Sequence, residues 1–150
     1  MTFSKWDYRY MEIAELVGGW SNCFRPDRKV GAVAVRDKRV ICMSYNSSPV
    51  GVRSCTERGE CIRKRLGIES GKEMEICYNV HTEQALICNA ALQGLSLRDS
   101  TVYCTHQPCV LCVKMLINAG VLCVIYKYEF PDAFSRDIAK EAGFEMVQLK

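Results

Sequence analysis

No stretch of the 150-residue sequence is apolar for the roughly 18 residues that a membrane span needs, and the N-terminal run MTFSKWDYRY lacks the apolar core of a secretory signal. The expectation is a cytoplasmic protein with no membrane partner. An excess of one charge is also missing. The net charge of +3 is too small to argue for DNA, RNA or an anionic membrane as partner, although a single phosphate could use it. There is no internal repeat and no low-complexity tract.

What remains is ordinary in bulk. Charged residues make up 25% of the chain and hydrophobic residues 49%, as in globular proteins and unlike disordered ones. A chain of this length buries about two thirds of its unfolded surface, so a single domain over residues 1–150 is expected. Cysteine is the exception: there are ten. Without an export signal a disulfide framework is not expected, and so many cysteines point to metal ligands together with small core residues.

Near-helical spacing of Trp6, Tyr10, Ile13, Ala14 and Val17 predicts a helix over Ser4 to Val17, with Ser4 and Asp7 as its capping box. The runs Val30 to Val35 and Val40 to Tyr45, joined by Arg36-Asp37-Lys38-Arg39, read as an antiparallel hairpin. Residues 47–79 are rich in Gly, Pro and charge and carry Cys55, Cys61 and Cys77; they read as an insertion with one short helix near Cys61 to Leu66. Helices over His81 to Gln93, Cys109 to Ala119 and Asp132 to Glu141 then alternate with strands over Thr101 to Thr105, Val121 to Tyr126 and Phe144 to Leu149. Such alternation predicts a sheet covered by helices, an α/β sandwich. Cys42, Cys88, Cys104 and Cys123 fall within these elements and read as core.

The chemistry is concentrated in His81-Thr82-Glu83 and Pro108-Cys109-Val110-Leu111-Cys112. One imidazole and two thiolates make a three-ligand zinc set that leaves the fourth tetrahedral position open, as in a catalytic site. Pro108 suits the start of a helix, which puts Cys109 and Cys112 one turn apart near a helix N-terminus, where thiolates are favoured. Zinc lowers the pKa of water from 15.7 toward about 7, and Glu83, two residues from a ligand, is free to take the proton and deliver it to a ring nitrogen and a departing amine. His-x-Glu paired with Pro-Cys-x-x-Cys is the signature of zinc-dependent deaminases.

Together with Lys29-Val30-Gly31-Ala32, Tyr45-Asn46, Pro49, Gly51, Gln84, Thr105 to Cys112, Tyr126 and Pro131-Asp132, these motifs resemble the deoxycytidylate (dCMP) deaminase family from about Cys23 to the C-terminus. The resemblance implies the cytidine deaminase-like α/β/α sandwich with a central mixed five-stranded sheet. It also implies conversion of dCMP to dUMP for thymidylate synthesis, and homo-oligomers, often hexamers. It makes His81, Cys109 and Cys112 the ligands of a catalytic Zn(2+), Glu83 the proton carrier, and Asn46 a sugar contact, the lesser alternative for Asn46 being that it serves only its turn. The chain departs from the family's usual residues at Ser47, Thr82 and Ala85, all expected near the pocket. Thr82 is either a substrate contact or a helix-start residue.

Some members of that family carry a second, structural zinc. Cys23, Cys55, Cys61 and Cys77 could hold one and organise a region that lacks a large apolar face, or they could be plain thiols. Among the basic groups, Arg28 and Lys29 before the first strand are the candidates for a 5′-phosphate, with Arg25, Arg58, Arg63, Lys64 and Arg65 as further cations. His106 reads as a loop residue. Two other functions fit the motifs less well. A deaminase of a base within nucleic acid would need a basic, aromatic-lined channel, and a non-enzymatic zinc module would need neither Glu83 nor an open metal position.

Overall fold

The computed structural model describes residues 2–150. Five strands form one sheet in the order β2-β1-β3-β4-β5, comprising β1 (Gly31–Arg36), β2 (Arg39–Tyr45), β3 (Thr101–His106), β4 (Cys123–Tyr128) and β5 (Glu145–Gln148). β1 runs antiparallel to both β2 and β3, whereas β3, β4 and β5 are parallel, so the sheet is mixed as expected. The hairpin turns at Asp37 and Lys38, with φ of 52° and 61°, the doubly left-handed turn that matches strand twist.

Side-chain alternation along the strands builds two cores. Val33, Val35, Tyr103 and Ile125 face α1 (Lys5–Gly18), which contributes Tyr10, Met11 and Ala14. Ala32, Ala34, Val102, Cys104, Val124 and Tyr126 point to the other face. There they meet Leu86 and Ala90 of α4 (Thr82–Leu92), Val113 and Leu116 of α5 (Val110–Asn118) and Ala139 of α6 (Ala133–Glu141). Buried apolar surface on both faces explains why β1 is almost continuously apolar. Gly31 is required here, because a Cβ on it would overlap the Ala14 carbonyl and the Gly18 backbone.

The start of α1 is capped as the sequence implies. The Ser4 hydroxyl accepts from Trp6 N at 3.2 Å, and Ser4 N donates to Asp7 Oδ2 at 2.7 Å. Asp7 also accepts the Tyr103 hydroxyl at 2.6 Å, tying the helix to β3. Burial opposes ionisation of Asp7, but the bonds from Tyr103 and Ser4 outweigh it and hold the carboxyl below its usual range. A carboxylate with a depressed folded pKa stabilises at neutral pH, and that stabilisation is lost as pH falls through the folded value. Asp7→Ala should therefore cost about 1–2 kcal/mol at pH 7, or about 2–4 °C in melting temperature per kcal/mol. The gap from wild type should narrow below pH 4, which thermal denaturation across pH checks.

The insertion holds two short helices, α2 (Cys55–Arg58) and α3 (Ile62–Arg65), where the pattern predicted one. α2 is announced by a box missed in the sequence: Ser54 Oγ accepts from Glu57 N at 3.1 Å, and Ser54 N donates to Glu57 Oε2 at 2.7 Å. Polar contacts do the work of an apolar core. The Arg63 guanidinium donates to the carbonyls of Glu69, Lys72, Glu73 and Ile76, and Arg58 lies over the Tyr78 ring.

Three sequence expectations need correction. β4 begins at Cys123 because Val121 and Leu122 belong to the turn after α5, where Leu122 N bonds Ser100 O at 2.9 Å. Cys88 is exposed on the outer side of α4 and Cys123 is half-buried, whereas Cys42 and Cys104 are core as predicted. His106 is the last residue of β3 and not a loop residue.

Candidate active site

The starts of α4 and α5 face one another. His81 is the N-cap of α4 and Cys109 the N-cap of α5, both with extended backbone, and Cys112 follows one turn into α5. Pro108 falls just before the cap, so the first turn starts one residue later than predicted. The His81 backbone N–H is taken by Gln84 Oε1 at 3.1 Å. On the other side the Asp132 carboxylate spans two helix starts, accepting Val110 N at 2.8 Å and Ser135 N at 2.9 Å. This bond holds the first turn of α5, and with it both cysteines, against α6.

Three donor atoms converge. Cys109 Sγ lies 3.4 Å from His81 Nδ1, Cys112 Sγ lies 3.5 Å from the same nitrogen, and the two sulfurs are 3.6 Å apart. Tetrahedral zinc with bonds of about 2.3 Å to sulfur and about 2.05 Å to nitrogen would separate sulfur from nitrogen by about 3.6 Å and sulfur from sulfur by about 3.8 Å. The side chains therefore fit zinc in both chemistry and spacing. Among the described residues, no other group of three His, Cys, Asp or Glu side chains brings its ligand atoms together this way.

The electrostatics agree. The Cys109 thiol is lowered to about 4, chiefly by a hydrogen bond from Cys112, with His81 adding to it against the cost of burial. Cys112 is pushed well up by that same pairing, by burial and by Glu83. The pair thus gives up its first proton readily, and a second thiolate beside the first needs a cation. Glu83 is 5% exposed, and its carboxyl is raised by burial and then by Cys109, with His81 opposing. A buried carboxyl raised in this way holds a proton more firmly than a free one, which suits a group that must both take and return protons.

These groups form the floor of a pocket walled by the insertion. His81, Thr82, Glu83 and Cys109 line it, and so do Arg25, Arg28, Arg63 and Asn46. Ser70 and Gly71 of the insertion reach its edge, where Arg28 Nη2 donates to Ser70 Oγ at 3.0 Å and the Arg28 guanidinium lies 5.7 Å from the Phe130 ring centroid.

The other sequence candidates divide. Asn46 lines the pocket, but its amide is largely spoken for: Oδ1 accepts from Val30 N at 2.9 Å and Nδ2 donates to Arg28 O at 2.8 Å. One lone pair and one N–H remain. The Thr82 hydroxyl sits 3.1 Å from Ser44 Oγ, which anchors it to β2. Lys29 is exposed and does not line the pocket, whereas Arg28 and Val30 on either side of it do. The departures at Ser47 and Ala85 are not in this pocket either; both line a separate groove with Trp20 and Tyr45. Cys23, Cys61 and Cys77 belong to the pocket wall, with Cys55 close enough to share their charge interactions. Burial first, and then neighbouring thiols, push Cys55 up to about 11. Their sulfurs do not close to the spacing of the first set.

Three lining residues were not singled out in the sequence, Asn79, Gln107 and Phe130, and Arg63, expected only as a cation, is also the hub of the insertion. Gln107 is buried, donates to Ser135 Oγ at 3.1 Å and accepts from Arg136 Nη2 at 2.9 Å. His106 packs at a tilt against Tyr128 with centroids 5.2 Å apart, and burial and then Arg28 keep its imidazole below its usual pKa.

Comparison with known proteins matches the same chemistry. Residues 4–128 fit the family model described as the cytidine and deoxycytidylate deaminase zinc-binding region. The chain is 32% identical over 144 residues to the deoxycytidylate deaminase of Schizosaccharomyces pombe, covering 95% of this chain and 44% of that protein. To the ComE operon protein 2 of Bacillus subtilis it is 30% identical, covering 97% of this chain and 71% of the other. The dCMP deaminase of cyanophage S-TIM5, solved with dCMP and dUMP, superposes with a TM-score of 0.78 at 28% identity, over 99% of this chain and all of that one. The chain spans a little under half the length of its two yeast relatives, 44% and 45%. With the model covering the whole span from the N-cap of α1 to the end of β4, the chain belongs to the cytidine and deoxycytidylate deaminase family.

Proposed function

We propose that the chain hydrolyses dCMP to dUMP and ammonia, using zinc held by His81, Cys109 and Cys112 and protons carried by Glu83. The observation that carries this reading is the convergence of three zinc-spaced donors and a buried carboxyl on the floor of one cation-lined pocket. The cyanophage enzyme with its bound dCMP and dUMP supports this choice of substrate.

Zinc, when bound, supplies the Lewis acidity that makes water nucleophilic at neutral pH. Glu83 then does the proton work: it takes a proton from the attacking water and passes it to N3 of the ring, then takes the second from the new C4 hydroxyl, which becomes the carbonyl, and delivers it to the amine on C4. The C4–N bond breaks, the new C4–O bond stays, and ammonia leaves.

The nucleotide is held at its charged end by Arg28, with Arg25 beside it. A desolvated guanidinium–phosphate contact is worth about 1.5–3 kcal/mol, so dCMP should exceed deoxycytidine by about tenfold or more in kcat/KM. Arg28→Gln should narrow that gap. A panel of dCMP, CMP, deoxycytidine and cytidine decides the matter, and equal kcat/KM for all four would remove the nucleotide from the reading.

A second, structural zinc at Cys23, Cys55, Cys61 and Cys77 belongs to the same reading. It rests on three thiols of an insertion with little apolar core and on Cys23, all near enough to interact through their charges, and it requires the four to draw together on the ion. A fully loaded chain should then carry about two zinc equivalents, and Cys55→Ser should lose one while keeping the catalytic one. One equivalent, unchanged in Cys55→Ser, would show plain thiols. The protein acts in the cytoplasm as a homo-oligomer of up to six chains. The oligomeric part rests on exposed Val40 and Met43 along edge strand β2 and on Leu92, which is 88% exposed. No helix among the described residues is long and apolar enough to cross a membrane. A single domain spanning the chain is the corresponding proposal for its organisation.

A further inference from the structure

Among the described residues only two buried side-chain polar atoms lack a hydrogen-bond partner, Asn79 Nδ2 and Arg25 Nε. Both are donors, and both belong to residues that line the pocket. Buried donors are almost always satisfied, so two left open in one cavity mark the place of a ligand rich in acceptors. Arg25 is charged and already one-sided, pairing with Asp27 at 2.9 Å, which suits it to a phosphate. Asn79 differs in being neutral and 6% exposed, and it lies two residues before His81.

The surroundings of Asn79 settle which end of its amide is left unpaired. The Ser48 hydroxyl donates to Oδ1 at 3.0 Å, and the Cys55 thiol lies 3.4 Å from the same oxygen. The Asn79 backbone N–H points to Cys77 Sγ at 3.4 Å. With Oδ1 held by the insertion, Nδ2 is the free end. We propose that Asn79 is a substrate-binding residue, donating from Nδ2 to an uncharged oxygen of the nucleotide, either the 3′-hydroxyl of the sugar or the carbonyl O2 of the base. This rests on the nucleotide reading above and adds to it a contact that no sequence motif supplies. A carboxamide suits an uncharged acceptor, because it adds no charge next to Glu83 and the thiolates. Asn46, whose amide is already bonded to the backbone on both sides, contributes less of this recognition than Asn79.

The test uses Asn79→Asp, which keeps the acceptor for Ser48 and removes the donor, and Asn79→Ala. Each is assayed with dCMP and with 2′,3′-dideoxycytidine 5′-monophosphate, alongside zinc content. Both variants should raise KM for dCMP about tenfold or more, with a smaller change in kcat and with zinc retained. If the sugar hydroxyl is the partner, the dideoxy analogue should be penalised in the wild type and not further penalised in the variants. If the base carbonyl is the partner, the analogue's penalty should be the same in all three proteins. A KM within twofold of wild type in both variants, with zinc bound, would overturn the assignment. Should neither variant fold, the Asn79 side-chain amide of the wild type is followed by ¹⁵N NMR during dUMP titration: a shift on binding supports the contact and an unmoved resonance rejects it. A wild type that turns over no cytosine nucleotide would overturn the functional reading along with this one, whereas an active wild type with unchanged variants would sink Asn79 alone.

Discussion

Glu83→Gln should lower kcat for dCMP by 10²-fold or more while leaving zinc bound. The side chain keeps its length and its place at the second position of α4, but an amide can neither accept the proton of water nor return it to N3. General acid–base help of this kind is worth about 10²- to 10⁴-fold, and here one carboxyl serves both transfers, so the loss should sit toward the upper end. KM should change little, because Glu83 acts on the reacting atoms more than on the phosphate or sugar. Metal analysis beside steady-state kinetics checks both halves, and a variant that keeps zinc and turns over near the wild-type rate would remove Glu83 from the proton path.

Cys109→Ser should go further, because it dismantles the metal set. A serine hydroxyl is a poor zinc ligand at neutral pH, whereas the Cys109 thiol is lowered to about 4 by its hydrogen bond from Cys112 and by His81. The variant should bind the catalytic zinc at least 10²-fold more weakly and show no measurable deamination at stoichiometric metal. The fold should survive better than the activity, since Val110 N still caps on Asp132 and the core of α5 is untouched. Zinc titration with a chromophoric chelator, together with circular dichroism, separates these effects. Loss of activity with full zinc affinity would mean that Cys109 serves chemistry other than ligation.

Much of this was legible in the sequence for a plain reason. The strands and helices carry their own periodicity, and His81 with Glu83, and Cys109 with Cys112, each lie within one turn of a helix start, so local spacing reveals the geometry of each half. The insertion is different. Its order comes from Arg63 reaching four carbonyls and from Ser70 meeting Arg28, 42 residues apart in sequence, and no local pattern encodes such bonds. That is why Lys29 was expected in the pocket while Asn79, Gln107 and Phe130 were not. Ser47 and Ala85 show the converse error, since proximity in sequence to Asn46 and His81 suggested a pocket position, yet their backbone positions send them to the far side of α4 and β2.

The most direct measurement is the fate of the oxygen. Purified zinc-loaded protein is given dCMP in ¹⁸O-labelled water, and the product is read by mass spectrometry while ammonia is counted. The account predicts dUMP carrying one ¹⁸O on C4 and one ammonia per dUMP, formed by the wild type and not by Glu83→Gln. Unchanged dCMP with the catalytic site fully zinc-loaded, or dUMP without the label, would contradict it.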